Sequence, residues 1–219
     1  MQREFWLKRW QNNDIGWHQP EVNRWLARYW GQLAVPAEGA VFVPLCGKSL
    51  DMRWLYQQGH DVVGVELSEA AARAYFDEAG EICRTEVRQF FVAHVGPSAR
   101  IYCGDFMDLS AYELKGVGGA FDRGALVALP PKMRARYADH LQRILPERTR
   151  VLLVTLEYDQ SLVEGPPHAV HAEEVQALFE ARCEVARLAS HATDQLPPKF
   201  ASAGVTQATE TVYAITKQK

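Results

Sequence analysis

The sequence lacks the features that mark membrane, secreted and nucleic-acid-binding proteins. No apolar run approaches the ~18 residues of a membrane span, and Met1 to Trp10 is polar and aromatic rather than an apolar signal-peptide core. There is no basic excess either, since the formal net charge is −3. A chain without a basic excess has little to attract the phosphates of nucleic acid. We therefore expect a cytoplasmic protein with neither a membrane nor a nucleic acid as partner.

Cysteine is scarce and widely scattered. No C-x-x-C pair exists, which argues against a disulfide scaffold and against structural zinc. The histidines form no metal-ligand pattern, because His168 and His171 have no third partner near them in the sequence. We expect reduced thiols and no metal site. The four cysteines are Cys46, Cys83, Cys103 and Cys183.

What the sequence does contain is a repeated alternation of two patterns. Short apolar runs are followed by segments with an amphipathic helical period, which predicts a parallel sheet with helices on both faces. No linker or repeat divides the 219 residues, so we expect a single domain over 1–219. The predicted strands are 40–46, 61–67, 100–103, 118–122, 150–158 and 205–216, and the predicted helices are 20–33, 49–58, 69–79, 130–145 and 172–183.

The first candidate for ligand binding is the loop from Pro44 to Ser49, directly after the first predicted strand. In an open α/β sheet, ligands bind past the carboxyl ends of the strands. Gly47 allows a sharp turn into the next helix, whose free N–H groups would face a ligand. The loop matches neither the G-x-G-x-x-G fingerprint nor a P-loop. Taken alone, it is equally typical of a plain strand-to-helix turn.

Glu66, at the end of the second predicted strand, adds a carboxylate to this edge. An acidic side chain at that position can accept hydrogen bonds from both hydroxyls of a ribose, although it could also be a solvated strand-end group. Together the loop and Glu66 favour a nucleoside ligand. They do not distinguish S-adenosylmethionine from a dinucleotide.

Two further strand ends carry candidate residues. After the third predicted strand, Asp105 could accept the adenine amino group, and Phe106 could pack on the base or simply in the core. After the fourth, Arg123 is the only basic residue at the predicted ligand edge. Instead of binding a ligand, Arg123 could form an ion pair with the adjacent Asp122.

The N-terminal segment is rich in aromatic residues. Trp6 and Trp10 are four residues apart and would share one face of a helix, with Phe5 and Trp17 nearby. Such a face could be core, or it could form a lid over a cationic cofactor, because tryptophan rings attract cations. We therefore interpret residues 1–33 as an aromatic and helical lid segment.

Several blocks together resemble the thiopurine S-methyltransferase family, in particular its bacterial members. They run in order from the N-terminus to beyond residue 160, and the Pro-Leu-Cys-Gly-Lys and Asp-Arg-Gly-Ala-Leu-Val-Ala blocks are the most specific. The matching blocks are Phe5-Trp6 with Trp10, Ile15 to Asn23, Val43 to Ser49, Gly59 to Ser68, Tyr102 to Phe106, Phe121 to Pro130 and Glu164 to Pro167.

This resemblance implies a Rossmann-like class I methyltransferase, with a mostly parallel sheet of seven strands whose last strand is antiparallel. It implies that S-adenosylmethionine is the cofactor and S-adenosylhomocysteine the product. The residues that it implies at the cofactor are Trp10, Leu45, Glu66 and Arg123, with Trp6 and the Asp105-Phe106 loop close by.

On the acceptor side the resemblance implies roles for Trp17, Arg123 and Lys199, and here the sequence departs from the family. Lys199 stands where an arginine is usual, which keeps the charge but loses the bidentate fork. His168 stands where a phenylalanine is usual. Cofactor use is therefore better supported than the identity of the acceptor.

The expected activity is direct methyl transfer to the sulfur of a thiopurine or a similar small aromatic thiol. Positioning would suffice, so no catalytic nucleophile is expected, and Cys46 is interpreted as a turn residue. Two alternatives remain open: methylation of selenium or tellurium compounds, and a nucleoside-binding module without turnover. We expect the protein to be a monomer.

Overall fold

A single sheet of nine strands runs through residues 3–193, 196 and 198–218, the residues that the computed structural model describes. Its strands are β1 (Ala40–Val43), β2 (Val62–Glu66), β3 (Arg84–Val87), β4 (Val92–Val95), β5 (Arg100–Cys103), β6 (Val117–Asp122), β7 (Arg150–Glu157), β8 (Cys183–Thr193) and β9 (Ala208–Lys217).

Helices connect most of these strands. The α-helices are α1 (Arg3–Gln11), α2 (Arg24–Tyr29), α3 (Leu50–Gln57), α4 (Glu69–Asp77), α5 (Pro131–Ile144), α6 (Ala172–Phe179) and α7 (Pro198–Ser202). Short 3₁₀ helices cover Trp30–Leu33, Phe106–Asp108 and Leu126–Ala128. In the part of the chain described, no helix has both the length and the apolar character to cross a membrane.

The strand order is β3-β4-β5-β2-β1-β6-β7-β9-β8. The five central strands from β5 to β7 are parallel, and β9 runs antiparallel to both β7 and β8. The seven strands from β5 to β8 therefore form the mostly parallel sheet, with an antiparallel last strand, that the family resemblance implies.

The two additional strands form the antiparallel hairpin β3–β4 at the edge of the sheet. The expectation of seven strands is corrected to nine. Most residues of β3 are exposed, and Arg84 and Glu86 interrupt any apolar alternation. The periodicity on which strand prediction depends is consequently missing here.

Two predicted helices are shorter in the structure. The helix predicted over 20–33 begins only at Arg24, because the Asn23 side chain accepts the N–H groups of Trp25 (3.0 Å) and Leu26 (3.2 Å) and so caps it. The helix predicted over 172–183 ends at Phe179, and Cys183 already begins β8.

The core consists of two apolar layers, one on each face of the sheet. Strand β1 divides between them, since Phe42 packs in the layer beneath α5 while Val41 and Val43 pack in the layer beneath α2 and α3. This is the side-chain alternation of a strand that is buried on both faces. Helices thus cover both faces of the central strands.

Gly119 in β6 tests how tightly one of these layers is packed. A Cβ at this position would lie 2.8 Å from Val35 Cγ2 and 3.0 Å from Trp30 Cη2, whereas a Cβ at Gly31 would meet nothing within 4 Å. We predict that Gly119→Ala lowers the free energy of unfolding by ~1–3 kcal/mol, the cost of overpacking. Gly31→Ala should leave it unchanged or slightly raised. Urea unfolding measures both, and equal midpoints would contradict the packing described.

Candidate active site

Four parallel strands end at the same edge of the sheet. Strands β5, β2, β1 and β6 are neighbours, so the segments after Val43, Glu66, Cys103 and Asp122 lie side by side. The chain continues from β1 to β2 on one side and returns to β6 on the other. This reversal is the position at which open α/β sheets bind ligands.

Two residues of the loop after β1 have a left-handed backbone conformation. Gly47 has a φ of 55°, which glycine adopts freely, but Leu45 has a φ of 48°, which costs a residue with a Cβ about 1 kcal/mol or more. The bond from the Cys46 N–H to the Val65 carbonyl (3.0 Å) holds the loop in place. Ser49 then caps α3 by accepting the Asp51 N–H.

Glu66 connects this loop to the end of β2. Its Oε2 accepts the Gly47 N–H and its Oε1 accepts the Ser68 N–H, both at 2.8 Å. The side chain is buried, and burial raises the pKa of Glu66 while these hydrogen bonds oppose the rise. Because a carboxylate has about four acceptor positions, two bonds leave capacity for the hydroxyls of a ribose.

The residues after β5 divide into one exposed and one buried side chain. Asp105 is exposed and accepts the Met107 N–H at 2.9 Å. Phe106 is 7% exposed, and its ring centroid lies 4.9 Å from that of Tyr137 and 6.5 Å from that of Phe42. The structure thus favours core packing for Phe106 over contact with a base.

After β6, Asp122 and Arg123 point to different partners. Asp122 is buried and accepts the Ala125 N–H (3.0 Å), the Leu126 N–H (3.2 Å) and the Tyr137 hydroxyl (2.7 Å). Arg123 is half-buried, and its Nη1 donates instead to the Trp17 carbonyl at 3.3 Å. The ion pair considered from the sequence does not form.

The N-terminal tryptophans form a cluster around Trp17. Its ring makes edge contacts with those of Trp6 (5.1 Å) and Trp10 (5.7 Å), and the Arg9 guanidinium lies 4.8 Å from it. The Trp10 ring also lies against the loop after β1, because a Cβ on Gly47 would be 3.1 Å from Trp10 Cζ2. Helix α1 itself buries none of its residues, so it lies on the site rather than in the core.

Lys199 contacts the loop that follows β7, and His168 lies within that loop. Lys199 Nζ donates to the carbonyls of Glu164 (3.2 Å) and Pro166. The His168 N–H donates to the Val127 carbonyl at 2.7 Å, and its buried Nε2 has no partner within the described residues. Burial, Arg134 and Lys199 lower the pKa of His168, which favours a neutral ring.

Asp51 is a residue of this region that the sequence analysis missed. It is 5% exposed and accepts the Asn23 N–H at 2.7 Å and the Ser49 hydroxyl at 2.9 Å. An acidic residue in the first turn of a helix is ordinarily explained by the helix dipole. Only its burial, which depends on contacts far apart in sequence, distinguishes it.

Two cysteine thiols, Cys46 and Cys103, lie at this edge of the sheet. Burial raises the pKa of the Cys46 thiol well above its ordinary value and that of Cys103 to about 11, so both stay protonated and are poor nucleophiles. All four cysteines are free. Within the described ranges, no group of three or more His, Cys, Asp or Glu side chains is arranged to hold a metal ion.

Comparison with known proteins identifies the relatives of this chain. The family model for thiopurine S-methyltransferase matches residues 1–218. The thiopurine S-methyltransferase of Pseudomonas fluorescens is 46% identical over 215 residues, which cover 98% of this chain and 99% of that protein. That of Bordetella petrii is 45% identical, with both chains fully covered.

Solved structures support the fold. Magnesium protoporphyrin IX methyltransferase from Synechocystis, crystallised with S-adenosylhomocysteine, superposes with a TM-score of 0.65 over 99% of both chains at 13% identity. The fold is thus a Rossmann-like class I methyltransferase fold. Given the family match from end to end, the chain belongs to the thiopurine S-methyltransferase family.

Proposed function

We propose that this chain is a single-domain, S-adenosylmethionine-dependent methyltransferase that methylates the sulfur of a thiopurine or a similar small aromatic thiol. The observation that carries the proposal is Glu66, buried at the end of β2 and bonded to the N–H groups of Gly47 and Ser68. The relatives named thiopurine S-methyltransferase support it, as does the structural neighbour with S-adenosylhomocysteine bound.

The described residues fit this cofactor. Glu66 would accept the ribose hydroxyls, the turn through Leu45 and Gly47 would bring backbone close to the ligand, and Trp10 and Trp6 would cover it. The exposed oxygen of Asp105 suits an adenine amino group. When bound, the cofactor supplies a methyl group activated by a sulfonium. The chain supplies binding, orientation and exclusion of water.

On the acceptor side, Arg123 is the residue that we expect to favour an anionic sulfur. Its guanidinium is half-buried and, among the described residues, donates one hydrogen bond, to the Trp17 carbonyl, so further N–H groups could serve a ligand. A positive charge stabilises a thiolate and lowers its pKa, more strongly where water is excluded. Trp17 would form one wall of the acceptor pocket.

Lys199 would act on the acceptor indirectly. Its ammonium already donates to the carbonyls of Glu164 and Pro166, which orders the loop between β7 and α6. We therefore assign it a supporting role. Neither a metalloid acceptor nor a binding module without turnover is supported by any contact or relative described above.

The cofactor assignment predicts a loss of affinity in Glu66→Gln. An amide cannot accept at both of its ends, so a bond to Gly47 or Ser68 and one to the ribose would be lost. We expect the Kd for S-adenosylhomocysteine to rise by ten-fold or more, about 1.5–3 kcal/mol for bonds to a charged group. The matched control is Glu69→Gln, three residues away, half-exposed and paired with Arg73, which should change Kd less than two-fold. An unchanged Kd in folded Glu66→Gln, measured by calorimetry, would remove the assignment.

The pH dependence of cofactor binding follows from the same carboxylate. Burial raises the pKa of Glu66, and only the ionised form offers all of its acceptor positions. Affinity should therefore weaken as the pH falls through this raised pKa, beginning at a higher pH than for an ordinary glutamate. Glu66→Gln should lose this acid-side decline, so an identical decline in the variant would assign it to another group.

The acceptor assignment predicts unequal roles for the two cations. Arg123→Ala should lower kcat/KM for an anionic 6-thiopurine by at least ten-fold, about 1.4 kcal/mol, and by less for a neutral thiol. Arg123→Lys should recover part of this, because it keeps the charge. Lys199→Ala should lower both values modestly and equally, and Lys199→Arg should preserve activity. Steady-state kinetics on both acceptors tests this, and equal losses on both in Arg123→Ala would contradict the assignment.

A further inference from the structure

We infer that Asp51 is a positioning residue that holds the N-terminal segment closed over the loop after β1. The inference rests on the proposed function, because it treats that loop as the cofactor-binding loop. Asp51 itself contacts neither reactant in this proposal. It acts through the stretch between Trp17 and Asn23, called here the connector, which joins the tryptophan cluster to α2.

Both oxygens of the Asp51 carboxylate have a hydrogen-bond partner. Asp51 lies in the first turn of α3, directly after the loop, and is 5% exposed. One oxygen accepts the Asn23 N–H at 2.7 Å and the other accepts the Ser49 hydroxyl at 2.9 Å. A single buried carboxylate thus joins the end of the connector to the helix that begins where the loop ends.

The other end of the connector is also held. Arg123 donates to the carbonyl of Trp17 at 3.3 Å. The Trp17 ring in turn contacts those of Trp6 and Trp10, and Trp10 lies against Gly47. Helix α1 and Trp17 are called here the cover. Among the described residues, Arg123 and Asp51 make polar ties to the two ends of the connector that joins this cover to α2.

Helix capping does not account for the burial of the Asp51 charge. A cap for α3 is already supplied by Ser49. Burial raises the pKa of Asp51, while the Asn23 N–H and the charges of Arg123 and His18 oppose the rise. Since burying an ion without partners is costly, these partners account for Asp51 better than a role in starting the helix does.

The consequence is a specific kinetic pattern. If loss of Asp51 leaves the cover open for most of the time, the apparent cofactor affinity falls by the fraction that remains closed. Bound cofactor closes the cover again, so the rate of the saturated enzyme is nearly unchanged. A residue that touched the reacting atoms would instead lower kcat.

The test uses the full-length enzyme with Asp51→Ala and a matched control, Glu210→Ala. Glu210 is a carboxylate that accepts from Trp25 Nε1 (2.8 Å) and Arg24 Nη2 (2.9 Å) in the first turn of α2. It therefore supports the same helix but does not touch the connector. The measurements are KM for S-adenosylmethionine, kcat, and the rate of tryptic cleavage within residues 1–19 without cofactor.

For Asp51→Ala we expect KM to rise at least ten-fold, kcat to change less than three-fold and cleavage to accelerate at least ten-fold. Saturating S-adenosylhomocysteine should slow the cleavage again. Glu210→Ala should change KM and cleavage less than two-fold. Equal effects in both variants would reduce Asp51 to general support of α2, and unchanged KM and cleavage in Asp51→Ala would also overturn the inference.

Asp51→Asn provides the test if the alanine variant does not fold. It keeps the size of the side chain but loses the charge and one acceptor, so KM and the cleavage rate should each rise at least three-fold. No rise in either would overturn the inference. Cleavage without cofactor reports on the cover alone, whereas an unaffected Kd in Glu66→Gln would count against the proposed function, so the two failures are distinguishable.

Discussion

The buried carboxylate of Glu66 is the constraint on which the rest of the site depends. It binds two backbone N–H groups from loops that follow different strands, Gly47 after β1 and Ser68 after β2. A buried charge without such partners would be costly, so both loops are held where their N–H groups reach it. Ser68 then caps α4, and the left-handed turn at Gly47 admits the Trp10 ring. Glu66 thereby holds both loops that lead into α3 and α4, and the first of these loops is the one that Trp10 contacts.

The cover is built differently from the sheet beneath it. Helix α1 buries none of its residues. Its tryptophans Trp6 and Trp10 both contact Trp17, and Trp10 also lies against Gly47 of the loop. Segments with few buried contacts open at low free energy, and an enclosed ligand requires such a segment in order to enter and leave. Polar ties at Trp17 and Asn23 can therefore set the closed fraction without affecting the stability of the sheet.

The parallel centre of the sheet could be predicted from the sequence, and its edges could not. Buried strands such as β7 are continuous apolar runs, and Glu66 stands out because it ends one. Strand β3 is mostly exposed and has no such pattern. The directions of Phe106 and Asp122 were also beyond local reasoning, because both depend on Tyr137, which is distant in sequence. Asp51 was missed because its burial likewise depends on a contact distant in sequence, with Asn23.

The two sides of the site differ in what a substitution can change. On the cofactor side, Glu66 and Asp122 bind backbone N–H groups at the ends of parallel strands, so their geometry is fixed by the sheet. On the acceptor side, the Lys199 side chain binds a carbonyl of the loop after β7, and His168 is itself part of that loop, with its backbone N–H bonded to the Val127 carbonyl. A change of residue there alters charge and shape without moving a strand end. The departures from the family pattern at these two positions are therefore compatible with unchanged cofactor binding.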